Sequence, residues 1–99
     1  GTVDDMPEKW LPAGTPMGEG WSLCRHLPYT LDNGERGVIA GVSELDAYGY
    51  GENETLAVQS LFDGMIDTLQ SLEATPAEVM DDSALLLRAQ LRRQMHKLA

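Results

Sequence analysis

Residues 37–72 read GVIAGVSELDAYGYGENETLAVQSLFDGMIDTLQSL, and the spacing of apolar residues changes once within this stretch. Gly37–Val42 is an almost continuous apolar run, which indicates a strand that is central in its sheet or covered on both faces. Residues 47–50 alternate, so they predict a further strand with Tyr48 and Tyr50 on one face. From Asn53 onward the apolar residues recur at helical spacing. The stretch therefore predicts two strands followed by an amphipathic helix.

The helix after Asn53 carries a complete apolar stripe. Asn53 suits the N-cap position, and Glu54 in the first turn suits the positive end of the helix dipole. The helix is predicted to end near Glu73. The residues of its stripe share helical spacing and are Val58, Leu61, Phe62, Met65, Ile66, Leu69 and Leu72. This stripe is expected to cover one face of the sheet.

Two segments precede this stretch. Residues 21–31 predict a strand that bends or ends early at Pro28, because proline removes a ladder donor. The Asn33-Gly34 pair predicts a tight hairpin turn that leads into the strand at Gly37. Residues 1–20 contain several prolines and glycines without sustained periodicity, so they predict an irregular N-terminal arm.

The C-terminal segment, residues 74–99, predicts an amphipathic basic helix. Residues 75–78 read Thr-Pro-Ala-Glu, which is typical of a capped helix start. Residues 81–83, Asp-Asp-Ser, either cap a new helix or lie within one continuous helix that reaches Leu98. The apolar stripe of this segment is Ala84, Leu87, Leu91, Met95 and Leu98, and the flanking cations are Arg88, Arg92, Arg93 and Lys97.

The element order predicts an α+β fold within one domain. A three- or four-stranded antiparallel sheet is covered by an amphipathic helix and followed by the C-terminal helix. Residues 1–20 form the arm, residues 21–73 the core and residues 74–99 the tail. Such a small sheet has a second face and open edges, which the arm, the tail or a second copy of the chain must protect, and this favours a homodimer.

Charge is unevenly distributed along the 99 residues. The net charge is −9, and residues 1–82 hold all 16 acidic residues but only Lys9, Arg25 and Arg36, giving −13, whereas residues 83–99 carry +4. An acidic surface disfavours broad nucleic-acid binding and favours a basic protein partner. No apolar run approaches the ~20 residues that a membrane span requires. Cys24 is the only cysteine, which excludes an internal disulfide and favours a reducing, cytoplasmic location.

The sequence lacks a convincing catalytic, metal or cofactor motif. Cys24 and His26 would share a strand face, but His96 is far away in sequence and no second cysteine completes a zinc site. Gly49-Tyr50-Gly51 lacks the spaced glycines and the lysine of a phosphate loop. We therefore predict no enzyme activity, no cofactor and no metal. Cys24 is interpreted as a packed thiol.

Residues 37–61 resemble the central part of HicB-like antitoxins. Glu44-Leu45 matches the Glu-Leu of the family's turn, Gly51-Glu52-Asn53 matches its glycine and helix cap, and Ala57-Val58 matches its early apolar pair. Ser43 and Asp46 stand where prolines are frequent in the family, and Asn53 replaces a commoner threonine. The resemblance covers residues 21–73 when the preceding hairpin is included. It implies a degenerate RNase H-like half-fold without catalytic carboxylates that neutralises a small basic toxin ribonuclease.

These observations lead to one functional hypothesis and two alternatives. The chain is interpreted as a HicB-like antitoxin-type protein, with its C-terminal helix as a contact element. The partner-binding residues are predicted on that helix and are Leu87, Arg88, Leu91, Arg92, Arg93 and Met95. The first alternative is an orphan structural or adaptor oligomer, including a phage-encoded one. The second is a DNA-binding transcriptional regulator that acts through the basic tail, although no DNA-binding motif is assigned.

Overall fold

The computed structural model describes residues 9–97, and its architecture is α+β. The seven strands are β1 (Lys9–Leu11), β2 (Pro16–Gly18), β3 (Trp21–Leu23), β4 (Leu27–Gly34), β5 (Gly37–Val42), β6 (Ala47–Gly51) and β7 (Met95–Lys97). The two α-helices are α1 (Glu54–Ala74) and α2 (Asp82–Gln94), and two 3-10 turns span Ser43–Leu45 and Ala77–Val79. The predicted fold class is therefore confirmed.

The main sheet has four antiparallel strands in the order β1-β4-β5-β6. The predicted hairpin forms, but its loop is Glu35-Arg36, since Gly34 pairs with Gly37 and Asn33 with Val38. The Asn33-Gly34 pair thus lies at the end of β4 and not at the tip of the turn. Strand β6 forms as predicted, with Tyr48 and Tyr50 exposed on one face.

Helix α1 packs on the inner face of the main sheet, as its apolar stripe predicts. The Asn53 side chain accepts a hydrogen bond from the Leu56 amide at 3.0 Å, so the predicted N-cap is confirmed. The buried residues of α1 are Ala57, Leu61, Phe62, Met65, Ile66 and Leu69, and Val58 and Leu72 are partly buried beside them. Sheet residues Leu27, Val38, Ala40 and Val42 belong to the same core.

The helix rests directly on β6 because that strand carries glycine on its inner face. A Cβ at Gly49 would overlap the backbone of Ala57 and Leu61, and one at Gly51 would overlap the backbone of Leu56 and Ala57. The alternation of tyrosine and glycine in β6 therefore has two functions. Glycine admits the helix, and the tyrosines face outward.

The C-terminal segment folds back onto the core, and its secondary structure differs from the predicted helix over residues 74–99. The Thr-Pro start at residues 75–78 forms only the 3-10 turn Ala77–Val79, because Asp81 caps a separate helix through a 2.8 Å bond from the Ala84 amide. Helix α2 ends at Gln94, and Met95–Lys97 becomes strand β7, which pairs with β3. A local apolar pattern cannot reveal this pairing, since its partner lies more than 70 residues earlier in the chain.

The N-terminal part is also more ordered than predicted. Residues 9–20 contain β1, which pairs with β4, and β2, which pairs with β3. Residues 1–8 of the predicted arm lie outside the described residues. The strand predicted over residues 21–31 is divided into β3 and β4, and β3 belongs to a second antiparallel sheet of order β2-β3-β7. Within residues 9–97, no helix is both long enough and apolar enough to cross a membrane.

Candidate protein-interaction surface

The outer face of the main sheet, opposite α1, carries large side chains that remain exposed. Tyr48 is 58%, Tyr50 54%, Trp10 61% and Ile39 43% exposed. Tyr50 stands opposite Ile39 across the β5–β6 pair, and Trp10 lies on β1 at the other edge of the sheet. We call these four residues the aromatic face. A concentration of aromatic side chains on one exposed face is typical of a binding surface.

The two tyrosines are held close to the sheet by glycines of β5. A Cβ at Gly41 would lie 2.8 Å from Cδ1 of Tyr48, and a Cβ at Gly37 would lie 2.8 Å from the Tyr50 hydroxyl. The Tyr50 hydroxyl also donates a hydrogen bond to the carbonyl oxygen of Arg36. The glycines therefore leave room for both rings, and the hydrogen bond restrains Tyr50, which lowers the entropy cost of using that ring in a contact.

At the opposite edge, Trp10 packs against His26. Their ring centroids are 5.7 Å apart with an interplanar angle of 73°, which is an edge-to-face contact. Between the two edges, exposed Thr30 and Asp32 of β4 occupy the same face. The sequence around Trp10 carries no local signal for this placement, because it depends on the pairing of β1 with β4.

Acidic residues surround β6. Glu44 and Asp46 precede the strand, Glu52 follows it, and all three are exposed. Asp46 is the C-cap of the Ser43–Leu45 turn and adopts φ of 52°, the left-handed region. The turn leads the chain directly into β6. Acids therefore lie at both ends of β6, while the strand itself contains no charged residue.

The predicted contact residues of the tail are largely used by the fold. Leu91 and Met95 are buried in the core, and Leu87 packs partly against it. Arg92 donates two hydrogen bonds to Glu73, from Nε at 2.6 Å and from Nη2 at 2.8 Å. This contact lowers the pKa of the Glu73 carboxyl, and the positive charge of Arg88 acts in the same direction. The hypothesis that these residues bind a partner remains a prediction.

Arg93 has a different environment from Arg92. With Arg25, Gln90 and Gln94 it lines a cleft of about 480 Å³ between the start of β4, the Ser43–Leu45 turn and α2. Glu44 lines the same cleft, so its charge is mixed. Arg92 and Arg93 therefore have different surroundings, Arg92 beside Glu73 and Arg93 in the cleft.

Strand β7 brings Cys24 and His96 together, although the sequence separates them by 72 residues. The Cys24 sulfur lies 2.9 Å from Nδ1 of His96, and the exposed position of the thiol differs from the packed thiol that the sequence suggested. His26 contacts Trp10 instead. In residues 9–97, no group of three His, Cys, Asp or Glu side chains is arranged to hold a metal ion.

A polar cluster connects β1, β4 and the start of α1. The buried Tyr29 hydroxyl donates to Glu54 at 2.6 Å, and Lys9 Nζ donates to the same carboxylate at 3.1 Å. Burial, and then the hydrogen bond to Glu54, raises the pKa of Tyr29 to about 12. The hydrogen bonds from Tyr29 and Lys9 lower the pKa of Glu54. The cluster fixes the first turn of α1 against the sheet.

Comparison with known proteins gives no relative from which a function could be carried over. No family model matches the chain, and neither a curated protein nor a solved structure is similar to it.

Proposed function

We propose that this protein binds a basic protein partner and acts as an antitoxin-type inhibitor of a small basic toxin, in the manner implied by the resemblance to HicB-like antitoxins. The observation that carries the proposal is the exposed aromatic face, whose two tyrosines lie on a strand with Glu44 and Asp46 before it and Glu52 after it. Aromatic side chains supply contact energy, and surrounding charge selects the partner and accelerates association.

The charge of the chain supports a basic partner. With a net charge of −9, the protein repels nucleic-acid phosphates and attracts cationic proteins. A ribonuclease toxin carries cations because it binds RNA, so its substrate-binding surface complements an acidic inhibitor. The reducing environment favoured by a single cysteine is consistent with a cytoplasmic inhibitor.

The contacts of the structure give less support to the two alternatives, a DNA-binding regulator and a structural oligomer. A DNA-binding regulator would need the cations of α2 to face phosphates together, yet Arg92 is bound to Glu73 and Arg93 lines a separate cleft. The acids at both ends of β6 oppose a structural oligomer in which two copies of the chain pair through this strand.

The test is affinity capture from the host, identification of the partner, and measurement of association at several salt concentrations. We expect a basic partner whose association rate falls steeply as salt rises, while the dissociation rate changes little. If the partner is a ribonuclease, the purified protein is expected to inhibit RNA cleavage in proportion to complex formed. Recovery of acidic partners alone, or association that does not depend on salt, would contradict the proposal.

A further inference from the structure

Strand β6 is an edge strand of the main sheet. It pairs only with β5, in a regular register over five residues. Among residues 9–97, no side-chain or loop hydrogen bond reaches the backbone of β6. Exposed edges in natural sheets are usually blocked by proline, a charged residue or a bulge, and the sequence Ala-Tyr-Gly-Tyr-Gly contains none of these.

The side chains of β6 also suit the addition of a strand. Tyr48 and Tyr50 border the edge on the outer face, so alternate side chains of an added strand would lie beside their rings. On the inner face, Gly49 and Gly51 leave no side chain between the edge and α1. Backbone hydrogen bonds would supply affinity, and the tyrosines would select the side chains that face them.

Charge identifies the class of occupant. If a second copy paired antiparallel through β6, Asp46 of one chain would approach Glu52 of the other at both ends of the pair. A parallel pair would place Asp46 beside Asp46. Each arrangement opposes like charges, which is destabilising directly across strands. A strand with lysine or arginine at its ends meets opposite charge in either direction.

From these observations we infer that β6 is a docking site for an extended segment of a basic partner protein, which adds to the main sheet as a fifth strand between the acids at the two ends of β6. The inference rests on the proposed function and specifies where the partner binds. The segment has β-branched or aromatic residues in its centre and cations at its ends.

The experiment uses the full chain and a defined set of peptides. The probes are capped peptides of about seven residues, Lys-X-Thr-X-Thr-X-Arg, in which X is Val, Ile or Tyr, since this length spans β6 and its flanking acids. Binding is measured by fluorescence anisotropy. The contact is located by the change in the backbone amide NMR signals of residues 47–51. A second set replaces the terminal cations by Glu. A third set carries N-methyl groups on alternate residues, which remove the amide donors along one edge of the peptide.

Two charge-matched variants separate the edge from the net charge. Glu44→Lys with Glu52→Lys reverses one acid at each end of β6 and leaves Asp46 in its left-handed turn. Asp63→Lys with Asp67→Lys changes the net charge equally on the exposed side of α1. We expect the first variant to weaken peptide binding by about tenfold and the second by less than about twofold. One of the two N-methyl patterns is expected to abolish binding, because only one peptide edge faces β6.

Several outcomes overturn the inference while leaving the proposed function intact. One is that none of the cationic peptides binds although a basic partner is captured. Another is that the two variants weaken peptide binding equally. A third is that peptides with either N-methyl pattern bind as tightly as the unmethylated peptide. Concentration-dependent dimerisation that the Glu44 and Glu52 reversals strengthen would show instead that β6 pairs with a second copy. Conversely, peptide binding at β6 without any basic partner in the host would support the site and contradict the proposed function.

Discussion

The substitution Gly49→Ala tests the direct packing of α1 on β6. Its methyl group would overlap backbone atoms of Ala57 and Leu61, and helix backbone cannot rotate away as the end of a side chain can. The helix would have to shift as a unit, and this shift would move Leu61 and Met65, which are completely buried in the core. The shift would therefore disturb packing well beyond the position of the added methyl group.

The expected magnitude follows from two opposing effects. Overpacking of a core costs ~1–3 kcal/mol, and the rigid backbone neighbours favour the upper part of this range. Alanine also restricts the unfolded chain, which offsets ~0.4–1 kcal/mol. The net loss in the free energy of unfolding is then about 2 kcal/mol, which corresponds to a decrease in Tm of roughly 10 °C for a domain of this size.

The assay is chemical denaturation of the wild type and two glycine variants, followed by circular dichroism. Gly64→Ala is the matched control, because a Cβ at Gly64 in α1 would meet only the Tyr48 carbonyl oxygen at 3.8 Å. Alanine is a better helix former than glycine, so this control is expected to stabilise the protein by ~0.5–1 kcal/mol. If Gly49→Ala unfolds at the same denaturant concentration as the wild type, or at a higher one, the reasoning about helix packing is wrong.

Four further predictions address the core, the polar cluster and the tail. Leu69→Ala is expected to lower the free energy of unfolding by ~2–5 kcal/mol in urea denaturation, and a loss below about 0.5 kcal/mol would place the residue on the surface. Because Tyr29 and Lys9 lower the pKa of Glu54, its carboxylate stabilises the fold above the normal glutamate pKa of ~4.3, and this stabilisation is lost as pH falls. The free energy of unfolding of Glu54→Gln is therefore expected to be lower than that of the wild type at neutral pH and to converge with it in acid. The pKa of Tyr29 is raised to about 12, so its contribution to stability is complete below the pKa of ~10 in the unfolded chain and is lost as pH rises toward 12. Ultraviolet titration of the wild type against Tyr29→Phe will detect the ionisation of this tyrosine. Deletion of residues 82–99 removes the buried Leu91, so we expect loss of the cooperative thermal transition, and a truncated chain that keeps the wild-type transition would show that the tail is dispensable.

Local sequence patterns are sufficient to predict several elements of this fold. The change from strand to helical spacing near residue 53 predicted β6, the Asn53 cap and the buried stripe of α1, because each depends on side chains within a few residues of one another. The same alternation placed Tyr48 and Tyr50 together on one face. These two residues form half of the aromatic face on which the proposed function depends.

The pairings between distant segments depend instead on the assembled fold. Met95–Lys97 continues a helical pattern in the sequence, but pairing with β3 makes it a strand and places the Cys24 sulfur beside His96. The same kind of pairing puts Trp10 on β1 at the edge of the aromatic face and leaves β6 without a neighbour at the other edge. Local propensity is a weak preference of a few tenths of a kcal/mol for each residue, whereas the burial of a side chain such as Met95 contributes ~1.5–3 kcal/mol. Strand order and edge exposure are therefore properties of the assembled sheet, which no single segment encodes.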